Sequence, residues 1–217
     1  MGLNRTKLHN FETLVDVLKD HHKRPIVTIC NHISNLDDPI IWGALPSSIL
    51  FQPSHMRWTL GASNILFTNP VYSKFFSLGK CIKIVRGDGI YQPGMDETLD
   101  KMLNNQWIHI FPEGKVNQSD KLLYFKWGVG RLVGEYYLKT GKYPILLPVH
   151  IKGLEKSMPL HKIPFPRFNK DIEITIGEKM DCDDIIRDNC TEKDPKNYFK
   201  AITDSIQIQY KKQFKLN

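Results

Sequence analysis

Cysteine and long apolar runs are both scarce in this sequence of 217 residues. Its four cysteines, at positions 30, 81, 182 and 190, include no CxxC pair and are too sparse for a disulfide-stabilised scaffold. No apolar run provides the roughly 18 to 20 residues that a membrane-spanning helix needs. The nearest approach, 39–56, lacks Asp, Glu, Lys and Arg but is interrupted by Pro46 and Pro53. No spacing among the histidines indicates a metal site.

The composition that remains is typical of a globular protein, with 41% hydrophobic and 24% charged residues. The length fits one domain, with a helical lead-in at 1–24, a core at 25–177 and a helical segment at 178–217. The net charge of +7 indicates an acidic partner: nucleic acid, an anionic membrane or a phosphate-bearing substrate. No nucleic-acid-binding motif accompanies this charge, so we expect no nucleic-acid partner.

Short apolar, β-branched runs alternate with helical patterns along the chain. The patterns predict strands at 25–30, 81–85, 107–111, 143–151 and 171–176. They predict helices at 11–18, from 37 onwards, at 95–104, at 126–139 and from 195 onwards. This alternation favours a single α/β domain with a mainly parallel or mixed central sheet flanked by helices.

Three polar turns follow predicted strands directly, namely Asn31-His32, 86–89 and 112–115. In sheets of this kind, ligands bind beyond the carboxyl ends of the strands. We therefore expect the three turns to form one site at one edge of the sheet.

The first turn carries a His-x4-Asp spacing, from His32 to Asp37. A carboxylate at that distance can accept the Nδ1 proton of the imidazole and leave Nε2 free to act as a general base. Such a base would take the proton of a substrate hydroxyl that attacks an acyl carbonyl. The alternative is a loop histidine that caps backbone groups, with Asp37 as a simple helix cap.

The other two turns offer groups that suit a phosphate or a hydroxyl. Arg86, next to a glycine, can bind a phosphate with two hydrogen bonds. Glu113 can hold a substrate hydroxyl, Gly114 frees the backbone, and Lys115 can pair with a phosphate. Together with Asn31, these are the candidate substrate-binding residues. The alternatives are a surface arginine and a tight turn with solvated charges.

Taken together, the motifs resemble the glycerolipid acyltransferases. Four blocks occur in that family's order: His32-x4-Asp37, the Arg86 turn, Phe-Pro-Glu-Gly at 111–114, and Leu-Pro-Val at 147–149. The resemblance extends to one branch of the family through the segments 37–39, 56–59, 75–81, 109–117 and 126–132. It covers most of the chain, from about residue 8 to residue 177.

That branch implies an acyltransferase that moves fatty acyl chains between phospholipids and lysophospholipids. It implies remodelling of cardiolipin from monolysocardiolipin, no cofactor and no need for coenzyme A. It places the protein on a mitochondrial membrane, facing the intermembrane space, and allows a homodimer.

In that resemblance His32 is the base, Asp37 orients it, and Arg86, Glu113 and Gly114 match the phosphate and head-group site. One departure follows Gly114: many relatives that use acyl-CoA have Thr-Arg-Ser where this chain has Lys-Val-Asn at 115–117. Two alternatives therefore stay open, an acyl-CoA-dependent acyltransferase and a non-enzymatic protein that binds anionic lipid.

Two segments are candidates for peripheral contact with an anionic membrane surface. The uncharged segment 39–51 includes Ile41, Trp42 and Leu45, which could lie in the membrane interface or instead form core. Segment 139–170 has seven Lys or Arg against one Glu. Its candidate interface residues are Lys162, Phe165, Arg167 and Phe168, and the alternative is a proline-stiffened surface loop.

Overall fold

A computed structural model describes residues 4–19, 23–160, 165–188 and 194–216 of the chain. Its strands are β1 (Arg5–His9), β2 (Ile26–Cys30), β3 (Trp58–Ala62), β4 (Cys81–Ile84), β5 (Trp107–Ile110), β6 (Ile145–Lys152) and β7 (Asp171–Ile176). Its longer helices are α1 (Phe11–Lys19), α2 (Asp37–Gly43), α5 (Pro70–Leu78), α6 (Pro93–Leu103), α7 (Gly128–Thr140) and α10 (Pro195–Phe214). Short helices are α3 (Ser47–Leu50), α4 (Ser63–Leu66), α8 (Leu154–Ser157) and α9 (Asp183–Asp188).

The seven strands form one mixed sheet in the order β1-β7-β6-β2-β5-β3-β4. Every neighbouring pair is parallel except β6 with β7. The strands β2 and β5 at the centre are buried along their whole length, which explains their mainly apolar sequences. The structure thus confirms the predicted single α/β domain with a mainly parallel, mixed sheet.

A hydrophobic core lies on each face of the sheet. Because side chains alternate along a strand, Val27 and Ile29 of β2 enter one core, while Ile26 and Cys30 enter the other. The first core packs against α6, α7 and α10, and the second against α1, α2 and α3. The helices thereby cover both faces of the sheet. The carboxyl ends of the central strands lie outside these two helical layers.

Helices α7 and α10 approach each other closely because α7 carries glycine at the contact. A Cβ atom at Gly130 would lie 2.0 Å from the carbonyl oxygen of Phe199. At Gly134 a Cβ atom would come within 2.9 Å of the Tyr198 ring. This contact fixes the height and rotation of α10, whose far end reaches the loops beyond β2 and β5.

The predicted strands and helices are all present, with ends that move by a few residues. The structure adds β1, β3 and α5, which the sequence analysis did not predict. The segment assigned as a helical lead-in therefore supplies β1, which pairs in parallel with β7. In β3, a Cβ atom at Gly61 would lie 2.3 Å from the sulfur of Cys81, so glycine is needed where β3 meets β4.

Among the described residues, no helix is both long and apolar enough to cross a membrane.

Candidate active site

The loops after β2 and β5 meet at the carboxyl edge of the sheet. These two strands are parallel neighbours, so the residues that follow them leave the sheet side by side. The backbone N–H of His32 donates to Oε1 of Glu113 across a distance of 3.0 Å. The N–H of Asn117 donates in turn to the carbonyl of His32 across 2.6 Å. Two of the three predicted turns therefore form a single bonded unit.

His32 and Asp37 form the hydrogen-bonded pair that their spacing predicts. Nδ1 of His32 lies 2.8 Å from Oδ2 of Asp37. The same oxygen accepts the backbone N–H groups of Ile33 at 2.7 Å and Ser34 at 2.8 Å. The Asp37 side chain is fully buried, and this burial raises its pKa, while the hydrogen bonds from His32 and Ser34 act in the opposite direction. Three donors on one oxygen fix the carboxylate, and the carboxylate fixes the ring.

The imidazole of His32 is held on its face as well as at its edge. Its ring stacks on Phe111, with a centroid distance of 4.2 Å and an interplanar angle of 21°. The side chain stays 19% exposed. Because Asp37 is the partner of Nδ1, that nitrogen is assigned the proton, and Nε2 then carries the lone pair. A histidine held in this way can act as a general base.

Glu113 is buried, and the structure gives each of its carboxylate oxygens a protein partner. Besides the bond from His32, Oε2 accepts the side-chain amide of Asn117 at 2.8 Å and the N–H of Leu123 at 3.0 Å. The carboxylate of Glu113 therefore connects the loop after β5 to the loop after β2. The predicted contact between Glu113 and a substrate hydroxyl stays a prediction.

Asn31 is likewise a bracing residue in the structure. Its amide nitrogen donates to the carbonyl of Ile151 at 2.9 Å, and its amide oxygen accepts the N–H of the same residue at 2.8 Å. These bonds tie the end of β2 to the end of β6. The side chain is buried, so its predicted role in binding substrate stays a prediction.

Arg86 lies at the same edge of the sheet but to one side. It follows β4, which is separated from β5 by β3, so two strand spacings, or roughly 10 Å, separate the two loops. Its side chain is exposed. The turn that carries it contains Gly87 with φ 95° and is held by Gln92, which bonds the N–H and the carbonyl of Val85. Arg86 is thus an exposed cation on a fixed turn.

The third turn presents Gly114 and Lys115 to solvent. Gly114 has φ 73°, a left-handed conformation that glycine adopts without strain. The exposed Lys115 supplies a second cation at the edge, beyond β5. Phosphate binding by Arg86 and Lys115 stays a prediction that the exposure of both side chains permits.

An ion pair that the sequence analysis did not identify supports the start of α2. Arg57, just before β3, pairs with Asp38 through two nitrogens, one of which lies 2.8 Å from Oδ1. The guanidinium carbon of Arg57 also lies 5.3 Å from the centre of a Trp42 ring. Because Asp38 adjoins Asp37, this pair holds the first turn of α2 and with it the carboxylate that bonds His32.

The C-terminal helix also reaches the site, although its sequence gave no indication of such a role. The hydroxyl of Tyr210 accepts the backbone N–H of Asn31 at 3.2 Å and donates to the carbonyl of Val149 at 2.8 Å. One turn earlier, Gln207 bonds the N–H of Phe125 and the carbonyl of Leu123. Helix α10 thereby makes hydrogen bonds to both loops, the one after β2 and the one after β5.

The cysteines in the described part of the chain are poor nucleophiles. Cys30, Cys81 and Cys182 are buried free thiols. Burial raises the pKa of Cys30 well above its usual value, that of Cys81 to about 12 and that of Cys182 to about 11. A thiolate is the reactive form. Within the same residues, no group of three or more His, Cys, Asp or Glu side chains is placed to bind a metal ion.

The two segments predicted to contact a membrane differ in their exposure to solvent. In the first, Ile41 and Leu45 are core residues, 2% and 5% exposed, because α2 packs its apolar side onto the sheet. Their assignment to a membrane surface is therefore wrong in this structure. Trp42 is half-buried, with its rings 6.1 Å from those of Trp107. In the second segment Phe165 and Phe168 are 75% and 55% exposed, and Arg167 is exposed as well. Lys162 lies outside the described residues.

Comparisons with known proteins agree with this geometry. A family model described as Acyltransferase matches residues 5–152. The tafazzin of Dictyostelium discoideum is 51% identical over 98% of this chain, which covers 80% of that protein. The Drosophila melanogaster tafazzin is 38% identical over 97% of the chain, which spans 55% of it. An Arabidopsis thaliana N-acylphosphatidylethanolamine synthase is also 38% identical, over 83% of this chain and 64% of its own length.

A solved structure shares the fold. The 1-acyl-sn-glycerophosphate acyltransferase PlsC from Thermotoga maritima superimposes with a TM-score of 0.61, covering 95% of this chain and 72% of that one. At 17% sequence identity the likeness concerns the fold alone. It matches the layered α/β arrangement described above.

Proposed function

The chain belongs to the acyltransferase family, in its tafazzin branch, and on that premise we propose that this phospholipid acyl-transferring enzyme works without coenzyme A. Its acyl donor would be a phospholipid and its acceptor a lysophospholipid. The His32–Asp37 pair, with Nδ1 bonded to the carboxylate, supports acyl transfer, and the 51% identity to a tafazzin supports a phospholipid as the donor.

The chemistry needs one base and one acyl ester. Nε2 of His32 takes the proton of the lysophospholipid hydroxyl, and the resulting oxygen attacks the ester carbonyl of the donor. The tetrahedral intermediate collapses, the bond to the donor's glycerol oxygen breaks, and His32 returns the proton to that oxygen. One ester is exchanged for another, so the free energy change is small and the reaction runs in both directions.

Asp37 has an electrostatic and an orienting role in this scheme. The carboxylate fixes the ring tautomer through Nδ1 and stabilises the imidazolium that forms during proton transfer. Because Asp37 is fully buried, its attraction to the imidazolium is little weakened by solvent. The ion pair of Asp38 with Arg57 keeps the helix start in place while the charge on His32 changes.

Phosphate recognition is proposed for the exposed cations at the same edge, Arg86 and Lys115. His32 follows β2, three strand spacings or roughly 14 Å from β4, so the long, exposed Arg86 side chain has to extend toward His32 to meet the phosphate of a substrate whose reacting hydroxyl is several bonds away. Loss of Arg86 should then raise KM for the lysophospholipid more than it lowers kcat.

The finer assignments rest on the tafazzin relatives. We propose cardiolipin and monolysocardiolipin as the physiological pair, and the intermembrane-space side of a mitochondrial membrane as the location. The exposed Phe165, Arg167 and Phe168 supply one point of membrane contact, since they combine apolar and cationic side chains on one short segment.

The test is transfer of a labelled acyl chain from phosphatidylcholine to monolysocardiolipin in vesicles that contain no coenzyme A. We expect transfer by the intact protein, no gain from added coenzyme A and loss of transfer in His32→Ala. Transfer that occurs only from acyl-CoA would identify the acyl-CoA-dependent alternative with the same site. Vesicle binding without transfer from either donor would favour the lipid-binding alternative.

The Arabidopsis relative suggests an additional acceptor, because its name describes acylation of the phosphatidylethanolamine amine. The same assay with phosphatidylethanolamine in place of the lysophospholipid separates the two acceptors. An ester product supports the transacylase, and an amide product would identify N-acylation as the activity of this chain.

A further inference from the structure

Helices α4 and α5 expose an apolar surface that no part of the described chain covers. We call it the α4–α5 face, and its members are Ile65, Val71, Tyr72, Phe75 and Leu78. All five are between 53% and 75% exposed, and α5 has no buried residue at all. Val71, Phe75 and Leu78 follow the i, i+4, i+7 spacing of one helical stripe.

The apolar stripe of α5 faces outward, which is the reverse of the usual arrangement in a surface helix. A helix on the surface of a globular protein ordinarily turns its apolar stripe to the core and its polar side to water. In α5, Phe76 lies toward the protein, with its ring 6.4 Å from that of Phe67, while the apolar stripe faces outward. Monomeric proteins seldom expose contiguous apolar patches except where they bind something.

The charge around the α4–α5 face indicates what that partner is. Between Asp38 and Asp88 the chain has no acidic residue and five basic ones, of which Arg57 is paired with Asp38 and the other four are Lys74, Lys80, Lys83 and Arg86. Lys74 lies on α5 itself, and it, Lys83 and Arg86 are exposed. An apolar stripe beside exposed cations suits an anionic lipid surface. A second copy of this chain would instead bring the same cations against each other.

The position of the face relative to the site points the same way. Helix α4 begins directly after β3, at the edge of the sheet where the Arg86 turn leaves β4. Val85 and Tyr91, on either side of that turn, are 39% and 54% exposed. Exposed apolar side chains therefore occur on α4 and beside the proposed phosphate-binding arginine, while α5 runs back toward the start of β4.

We propose that the α4–α5 face lies in the interface of an anionic bilayer, with Val71, Phe75 and Leu78 among the acyl chains. In that orientation Arg86 sits at the depth of the lipid phosphates. This inference deepens the proposed function and rests on it for the choice of a phospholipid bilayer. It adds a docking surface that lies outside segment 139–170.

The matched variants are Leu78→Ser and Ile208→Ser. The two side chains are isomers and are 73% and 66% exposed, but Ile208 lies on α10. We measure sedimentation with phosphatidylcholine vesicles that contain cardiolipin. Leu78→Ser should weaken binding about tenfold, the scale of one large apolar side chain leaving lipid, and Ile208→Ser should not change it. Lys74→Gln should weaken binding only when the vesicles contain cardiolipin.

Equal binding of the two serine variants would overturn the proposal. A change of oligomeric state in Leu78→Ser, with vesicle binding intact, would overturn it too, by identifying a second copy as the occupant. Acyl transfer between short-chain lipids dissolved as monomers keeps the inference separate from the function. There Leu78→Ser should equal the intact protein, and absence of transfer by both would count against the proposed function instead.

Discussion

Replacement of Tyr210 by phenylalanine should impair the active site, although Tyr210 lies on α10 and not in the loops that form the site. The hydroxyl accepts hydrogen bonds from the N–H of Asn31 at 3.2 Å and from Nδ1 of His150 at 2.9 Å. Burial lowers the pKa of His150 to about 4, so its ring is neutral near pH 7. Removal of the hydroxyl leaves both buried donors without this acceptor. At roughly 1–3 kcal/mol for each of these two unsatisfied buried groups, we expect a loss of about 2–6 kcal/mol in the free energy of unfolding.

The same substitution should lower the rate of acyl transfer. Asn31 immediately precedes His32, so a shift of its backbone moves the imidazole relative to the substrate. Small misplacements of a reacting group cost as much as about 100-fold in rate. We expect kcat to fall about tenfold while KM for the lysophospholipid stays close to its original value.

Urea unfolding and acyl transfer measured on the same preparations test this reasoning. Tyr136→Phe, at a buried tyrosine on α7, is the control and should leave transfer unchanged. A Tyr210→Phe protein that is destabilised but transfers acyl chains at full kcat would show that Tyr210 has only a structural role. Unchanged stability would refute the importance of the hydrogen bonds themselves.

Three further predictions concern the catalytic carboxylate, pH and helix packing. Asp37→Asn should lower kcat roughly 10²- to 10⁴-fold in the transfer assay with little change in KM, because the ring loses its orienting anion. Burial lowers the pKa of His109 and of His150 to about 4, below the unfolded value of about 6.5. The unfolded state therefore binds protons first, and urea unfolding should show stability falling from about pH 6.5 toward pH 4, by up to about 1.4 kcal/mol per pH unit for each ring. The raised pKa of Asp37 acts in the opposite direction, because the folded state then binds a proton more tightly than the unfolded state does. A free energy of unfolding that stays constant between about pH 6.5 and pH 4 would contradict the expected net effect of the two histidines. Gly130→Ala should cost about 1–3 kcal/mol in thermal unfolding, since its Cβ would lie 2.0 Å from the Phe199 carbonyl; an unchanged midpoint would contradict the close packing of α7 on α10.

The sequence was sufficient to predict the elements whose patterns are local. The strand at 107–111 is a run of apolar residues that ends in a Pro-Glu-Gly turn, and the structure has β5 there. The His32–Asp37 bond was also predictable, because five residues across a loop and a helix start bring the two side chains together whatever surrounds them.

Other features depend on partners far away in the sequence. Glu113 has the residue type of a substrate contact, and only the folded chain shows that Asn117 and Leu123 occupy its second oxygen. Tyr210 is 179 residues from Asn31, and a tyrosine on an amphipathic helix does not indicate which backbone group it binds. Segment 39–51 was ambiguous, since an apolar helix that contacts the core and one that contacts lipid have the same composition. Strand β3 was missed because its pattern is short and contains Gly61.

The measurement that tests the account most directly is acyl transfer without coenzyme A by His32→Gln, in vesicles to which the variant still binds. Glutamine keeps a polar side chain of similar length but cannot accept a proton at neutral pH. We predict a loss of transfer of at least about 100-fold, the scale of general base catalysis, with the urea unfolding curve nearly unchanged. Transfer at the original rate by the folded, membrane-bound variant would contradict the role of His32 as the base.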